Sequence, residues 1–69
     1  MGPTYLLRID VKKLAERLSD AERRRVSHGD AFVWLNQRGF KTCRRGWYAA
    51  SDTVGAIDHS CIIKAERLW

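Results

Sequence analysis

The tract RGFKTCRRGWYAAS, residues 38–51, constrains the fold more than any other stretch of this chain. Gly39 follows Arg38 where a helix has to stop. A glycine takes the left-handed conformation that closes a helix C-terminus, and Phe40 just beyond it supplies the apolar contact of such a cap. Two short runs follow, residues 40–44 and 47–51, and Gly46 between them offers the positive φ of a tight hairpin turn. Arg44 and Arg45 then fall at the hairpin tip. A helix stop followed at once by a hairpin requires a domain that mixes helix with antiparallel strand.

The flanking segments fill in the rest. Tyr5, Leu7, Ile9 and Val11 alternate with Leu6, Arg8 and Asp10, as a half-buried strand requires. Asp10 is placed to cap a helix. Val11, Leu14, Ala15, Leu18 and Ala21 then keep the three-and-four spacing of one helical face. Ser19 stands three residues before Glu22 and Ser27 three before Asp30, the spacing of reciprocal capping boxes. Taken literally, these signals give three short helices, at about 11–18, 20–26 and 28–38. The alternative is one helix through residue 26 with Ser19 facing water, then a second helix up to the Gly39 stop. In the last helix, Ala31, Phe32, Trp34 and Leu35 form a broad apolar arc, and Asn36 and Gln37 face solvent.

Residues 51–58, SDTVGAID, read as a helical turn or a loop. Residues 59–68 alternate again, with Cys61, Ile63 and Ala65 opposite Ile62, Lys64, Glu66 and Leu68, and read as a last strand. The expected fold class is α+β, in one domain. A small antiparallel sheet, made of the N-terminal strand, the hairpin and the C-terminal strand, packs against two or three short helices, with first and last strands paired. A helical triplet ahead of a hairpin also has the outline of a winged helix, a fold-level analogy that assigns no role.

At 69 residues the chain is near the lower size limit for folding without metals or disulfides. Three tryptophans, two tyrosines and two phenylalanines supply much of its core volume, and Trp47 is expected among them. So small a core leaves little room for a deep pocket with a catalytic shell. No Walker loop, GxSxG elbow or HExxH helix occurs, and the reading is a non-enzyme without cofactor. His28, Cys43, His59 and Cys61 are of metal-ligand type, but structural zinc sites bring ligands in tight pairs, and only His59 and Cys61 make a loose one. No metal is assigned. Cys43, beside Lys41, Arg44 and Arg45, has cations that favour a thiolate if exposed, yet no base oriented by a third group can be inferred. Burial as small hydrophobes accounts for both cysteines. No window approaches the apolar length of a membrane span, and no leader pattern opens the chain. The expectation is a cytoplasmic protein with reduced thiols and no membrane partner.

Charge is the feature left to interpret. The formal net charge is +5, and it is unevenly spread. Residues 38–45 hold Arg38, Lys41, Arg44 and Arg45 with no acid among them, and Arg23, Arg24 and Arg25 form a second cluster. From residue 46 onward Asp52, Asp58 and Glu66 outnumber Lys64 and Arg67. This pattern points to a polyanion-facing side, whereas its bland counterpart is a soluble surface. The first functional expectation is therefore a small regulator that binds nucleic acid. Arg23, Arg24, Arg25, Arg38, Lys41, Arg44 and Arg45 would contact phosphates, residues 28–38 would be the helix brought to the groove, and Trp47 or Tyr48 would stack on a base. The three consecutive arginines fan around a helix, so they gain weight only by sharing a face with Arg38 and Arg44. The competing expectation is a protein-interaction module that docks through the last strand's free edge, Tyr48 and Trp69, a second copy of the chain being one such partner.

Overall fold

The computed structural model describes residues 3–68, and the expectation for Trp69 lies outside them. In chain order the elements are strand β1 (Thr4–Ile9), helices α1 (Val11–Glu22) and α2 (His28–Gln37), and hairpin strands β2 (Lys41–Cys43) and β3 (Gly46–Ala50). A one-turn helix α3 (Ser51–Val54), a 3-10 turn (His59–Cys61) and strand β4 (Ile62–Arg67) complete them. The strands form one antiparallel sheet in the order β2-β3-β1-β4. The fold is α+β, with β1 central between the hairpin and β4. Among the described residues, no helix is long and apolar enough to cross a membrane.

Strand alternation decides which face the helices cover. Leu7 and Ile9 of β1 join Trp47 and Ala49 of β3, and these pack with Leu14 and Ala15 of α1 and Ala31 and Leu35 of α2. Trp47 is buried as expected, with the Phe32 ring set edge-on to it at 5.2 Å. Such an edge-to-face pair adds about 0.5–1.5 kcal/mol beyond area burial.

The helix ends show which local signals held. The Asp10 carboxylate accepts the Lys13 N–H at 3.0 Å and opens α1. Ser19 caps nothing. Its hydroxyl donates to the Ala15 carbonyl at 2.7 Å and accepts the Val26 N–H at 3.0 Å, so α1 runs unbroken through a half-buried Ser19 whose hydroxyl is bonded within the chain. Two helices rather than three therefore precede the hairpin, and the triplet of the winged-helix outline does not form. The first helix ends at Glu22, short of residue 26, where Arg23 takes a left-handed φ of 53°. The early stop lets the chain turn to bury Val26 and open α2 at Ser27, whose capping box with Asp30 is complete. Arg23, Arg24 and Arg25 consequently lie in the connection, all exposed, and do not fan around a helix.

At the end of α2 the Gly39 N–H reaches the Asn36 carbonyl at 3.2 Å and the Phe40 N–H reaches the Leu35 carbonyl at 3.0 Å. Gly39 has φ 97°, and Phe40 and Leu35 are both fully buried, which is the predicted left-handed cap with its apolar contact. In the hairpin Cys43 stands opposite Gly46, leaving Arg44 and Arg45 as a two-residue loop.

The last strand starts later than its alternation suggests. Residues 59–61 form a 3-10 turn, and the Asp58 carboxylate accepts the Ser60 N–H at 2.9 Å to cap it. The β1–β4 register shifts between Arg8 and Ile9, so Ile62 faces Ile9 while Lys64 faces Arg8. Ile63 is the extra residue, 62% exposed, and Cys61, Ile63 and Ala65 do not share a face. Cys61 is buried but Cys43 is exposed, against the expectation that both are core residues. Cys43 lies on edge strand β2 and Cys61 in the turn that leads into the opposite edge strand, β4.

Candidate nucleic-acid interface

With α1 and α2 on one face, the other face of the sheet is open, and register fixes what stands on it. Lys41 of β2, Tyr48 of β3, Leu6 of β1 and Glu66 of β4 form one cross-sheet row. Two residues along each strand, Cys43 faces Gly46 and Arg8 faces Lys64. Both Arg8 and Lys64 are exposed. Like charges directly opposite across a strand pair destabilise it, by about 0.2–1 kcal/mol on the scale of cross-strand pairs.

Gly46 makes room between these positions. A Cβ there would lie 2.4 Å from the Leu7 carbonyl oxygen and 3.8 Å from Arg8 Cα, so only glycine lets β3 approach β1 this closely. From the turn, Arg45 reaches Glu66 of β4 with a guanidinium nitrogen 3.4 Å from Oε2. The result is a concavity of about 350 Å³ lined by Leu6, Leu7, Arg8, Arg44, Arg45, Lys64 and Glu66. Four cations from three elements meet a single carboxylate there. The Arg45–Glu66 pair is exposed on both sides and is held only weakly. Arg8, Lys41, Arg44 and Lys64 have no carboxylate partner among the described residues. Such an arrangement attracts anions, and the guanidinium fork suits phosphate oxygens in particular. Of the two candidate stacking rings, Trp47 lies in the core and Tyr48 stands on the open face, 38% exposed.

The residues expected to contact phosphate thus divide into two groups. Lys41, Arg44 and Arg45 lie on the open face of the sheet or at its turn. Arg38 and Arg24 instead line a second concavity, between α1 and α2, with Leu18, Val33 and Trp34. Both are engaged within the chain: Arg24 pairs with Glu22 at 3.1 Å, and the Arg38 guanidinium lies 4.0 Å over the Trp34 ring. Arg23 and Arg25 stay with Arg24 in the α1–α2 connection. The condition that the three consecutive arginines share a face with Arg38 and Arg44 is met for Arg24 and Arg38 only.

Arg8 and Lys64 are the residues that sequence reasoning missed. A signal existed: each occupies a polar position in the alternation of a strand, and pairing the first and last strands brings their polar faces together. What the sequence lacks is the register.

Local surroundings shift the titration of Asp58 and Cys61, neither of which lines the basic concavity. Asp58 is held below its ordinary value, chiefly by the Ser60 backbone N–H, then by the Ser60 hydroxyl, with smaller help from Arg17 and Lys13 against desolvation. Burial pushes the Cys61 thiol up. Among the described residues, no three of His, Cys, Asp and Glu come together as a metal site. Comparison with protein-family models, curated proteins and solved structures returned no match.

Proposed function

We propose that the protein is a small, non-catalytic, cytoplasmic module that binds single-stranded nucleic acid on the open face of its sheet. The observation that carries this reading is Arg8 directly opposite Lys64, beside the Arg44–Arg45 turn. A solvated surface has no need to set two cations across a strand pair, because the arrangement costs stability in the free domain. Phosphates lying between them turn that repulsion into attraction. Lys41 and Tyr48, one row along, extend the surface with a further cation and a ring on which a base can stack, the combination used for single strands. The α2 helix supports the reading less, since Arg38 is already stacked on Trp34.

Anisotropy of a labelled single-stranded oligonucleotide over a salt series tests the proposal. Log affinity is expected to fall linearly with log salt, by roughly 0.7 for each phosphate neutralised on a single strand. Replacing Arg44 and Arg45 together with alanine should lower that slope by about one to two contacts' worth and weaken all sequences alike. Salt-insensitive binding, or an unchanged double variant, refutes it.

A second reading, docking onto another protein or a second copy of this chain, is favoured by one observation. The outer edge of β4 is unpaired, and Ile63 on it is 62% exposed, as strand addition requires. Tyr48 belongs to this reading as well, and Trp69 lies outside the described residues. Association of that kind tolerates salt and survives nuclease treatment.

A further inference from the structure

We infer that the basic concavity is a subsite for the terminal phosphate monoester of a strand, with Tyr48 stacking the base next to that end. The inference rests on the reading of the open face as a single-strand surface and names what that surface recognises.

Convergence is the first argument. Internal phosphodiesters carry one charge each along a line, and they are matched by cations strung out in a strip. Here Arg8 from β1, Lys64 from β4, and Arg44 and Arg45 from the β2–β3 turn surround one space of about 350 Å³. That volume is at the small end of ligand pockets, which run from roughly 300 to 1,000 Å³. A phosphate monoester concentrates about −1.5 to −2 charges and three strong acceptor oxygens on one phosphorus. Three guanidinium groups and an ammonium approaching from different elements suit that group better than a diester with two free oxygens.

Partner exchange is the second argument. Glu66 is the one carboxylate lining the space, and its pair with Arg45 is long, at 3.4 Å, and exposed. An incoming dianion displaces it without leaving a buried charge unpaired. Spacing is the third. Tyr48 shares a row with Leu6 and Glu66, two residues along from the row of Arg8 and Lys64. Two residues of strand span about 7 Å and the step from β3 to β1 adds about 5 Å sideways. The Tyr48 backbone therefore stands roughly 8 Å from that of Arg8, a gap that their long side chains narrow to the reach from a phosphate to the base of its own nucleotide.

The experiment compares one short single strand in three forms, with a 5′-phosphate, with a 3′-phosphate, and with hydroxyls at both ends. A mononucleotide monophosphate serves as competitor. One phosphorylated end should bind on the order of tenfold more tightly than the hydroxyl-ended strand, the gain of an added charge-assisted contact. In Arg8→Ala and Lys64→Ala variants, checked for folding by circular dichroism, the ratio between ends should fall towards one. Lys41→Ala should weaken all three strands and keep the ratio. Equal affinity for the three strands overturns end recognition while leaving strand binding in place. A mononucleotide that binds as tightly as the phosphorylated strand overturns the assignment to a strand end. Failure of all three strands to bind removes the underlying reading as well.

Discussion

Gly46 joins the fold to the candidate site. Its φ of 134° is one that side-chain-bearing residues rarely adopt, and its missing Cβ is what lets the Leu7 carbonyl come close. Gly39 has a positive φ too, but a Cβ there would meet only the Thr53 side chain, its hydroxyl oxygen at 3.4 Å and its methyl carbon at 3.6 Å. The two glycines thus separate backbone conformation from backbone contact. Gly39→Ala should cost about 1–2 kcal/mol, the left-handed penalty alone. Gly46→Ala should cost about 3 kcal/mol or more, because a strained conformation and a clash with immovable backbone add. A core this small supplies only about 3–5 kcal/mol in total, so Gly46→Ala should be largely unfolded in buffer where Gly39→Ala is folded. Urea titrations followed by circular dichroism measure both. Equal midpoints for the two variants would mean that β3 does not sit against β1 as described.

The elements differ in how much of them the sequence disclosed, and the difference follows from where their determinants lie. Both ends of α2 are written locally, in Ser27 with Asp30 at the start and Gly39 with Phe40 at the stop, and both formed. Ser19 carried the same local signal three residues before Glu22, yet its hydroxyl is taken by Ala15 within the helix and by Val26 beyond it. The second partner depends on where the chain turns, which no short window contains. The facing of Ile63 in β4 is misread for the same reason: the shift that pushes it outward is a property of pairing with β1, more than fifty residues away. The residues of the candidate site follow the same rule. Lys41, Arg44 and Arg45 were legible from one basic run, whereas Arg8 and Lys64 meet only through the strand register.

The 3-10 turn before β4 has its own pH signature. Asp58 has a folded pKa below its ordinary 3.8, mainly because its carboxylate accepts the Ser60 N–H. A depressed folded pKa means the contribution is complete above about 3.8 and is lost as pH falls through the lower, folded value. Asp58→Asn should therefore narrow the loss of melting temperature that the parent shows on acidification below pH 4, while both proteins follow parallel curves near neutrality. An acid limb unchanged by the substitution would assign that loss to other carboxylates.

At the scale of the whole molecule, the helices and the inner sheet face hold the chain together, and the outer face carries charge that works against it. Arg8 and Lys64 repel across β1 and β4, and among the described residues lining the concavity only Glu66 offsets the cations around it. A surface selected for solubility alone gains nothing from this placement, so stability and binding should respond oppositely to its removal. Lys64→Glu converts the repelling pair into an attracting one. The free domain should gain about 0.5–1 kcal/mol, which in a protein of this size raises the melting temperature by roughly 2–8 °C. If the proposed function holds, the same variant should lose affinity for a single-stranded oligonucleotide, and the thermal shift expected of the parent with oligonucleotide should shrink with it. Melting curves of parent and variant, each with and without oligonucleotide, provide both quantities from one set of samples. A variant more stable and equally able to bind would show that Lys64 faces no phosphate. A variant less stable would show that the free protein does not carry the Arg8–Lys64 repulsion on which the proposed function rests.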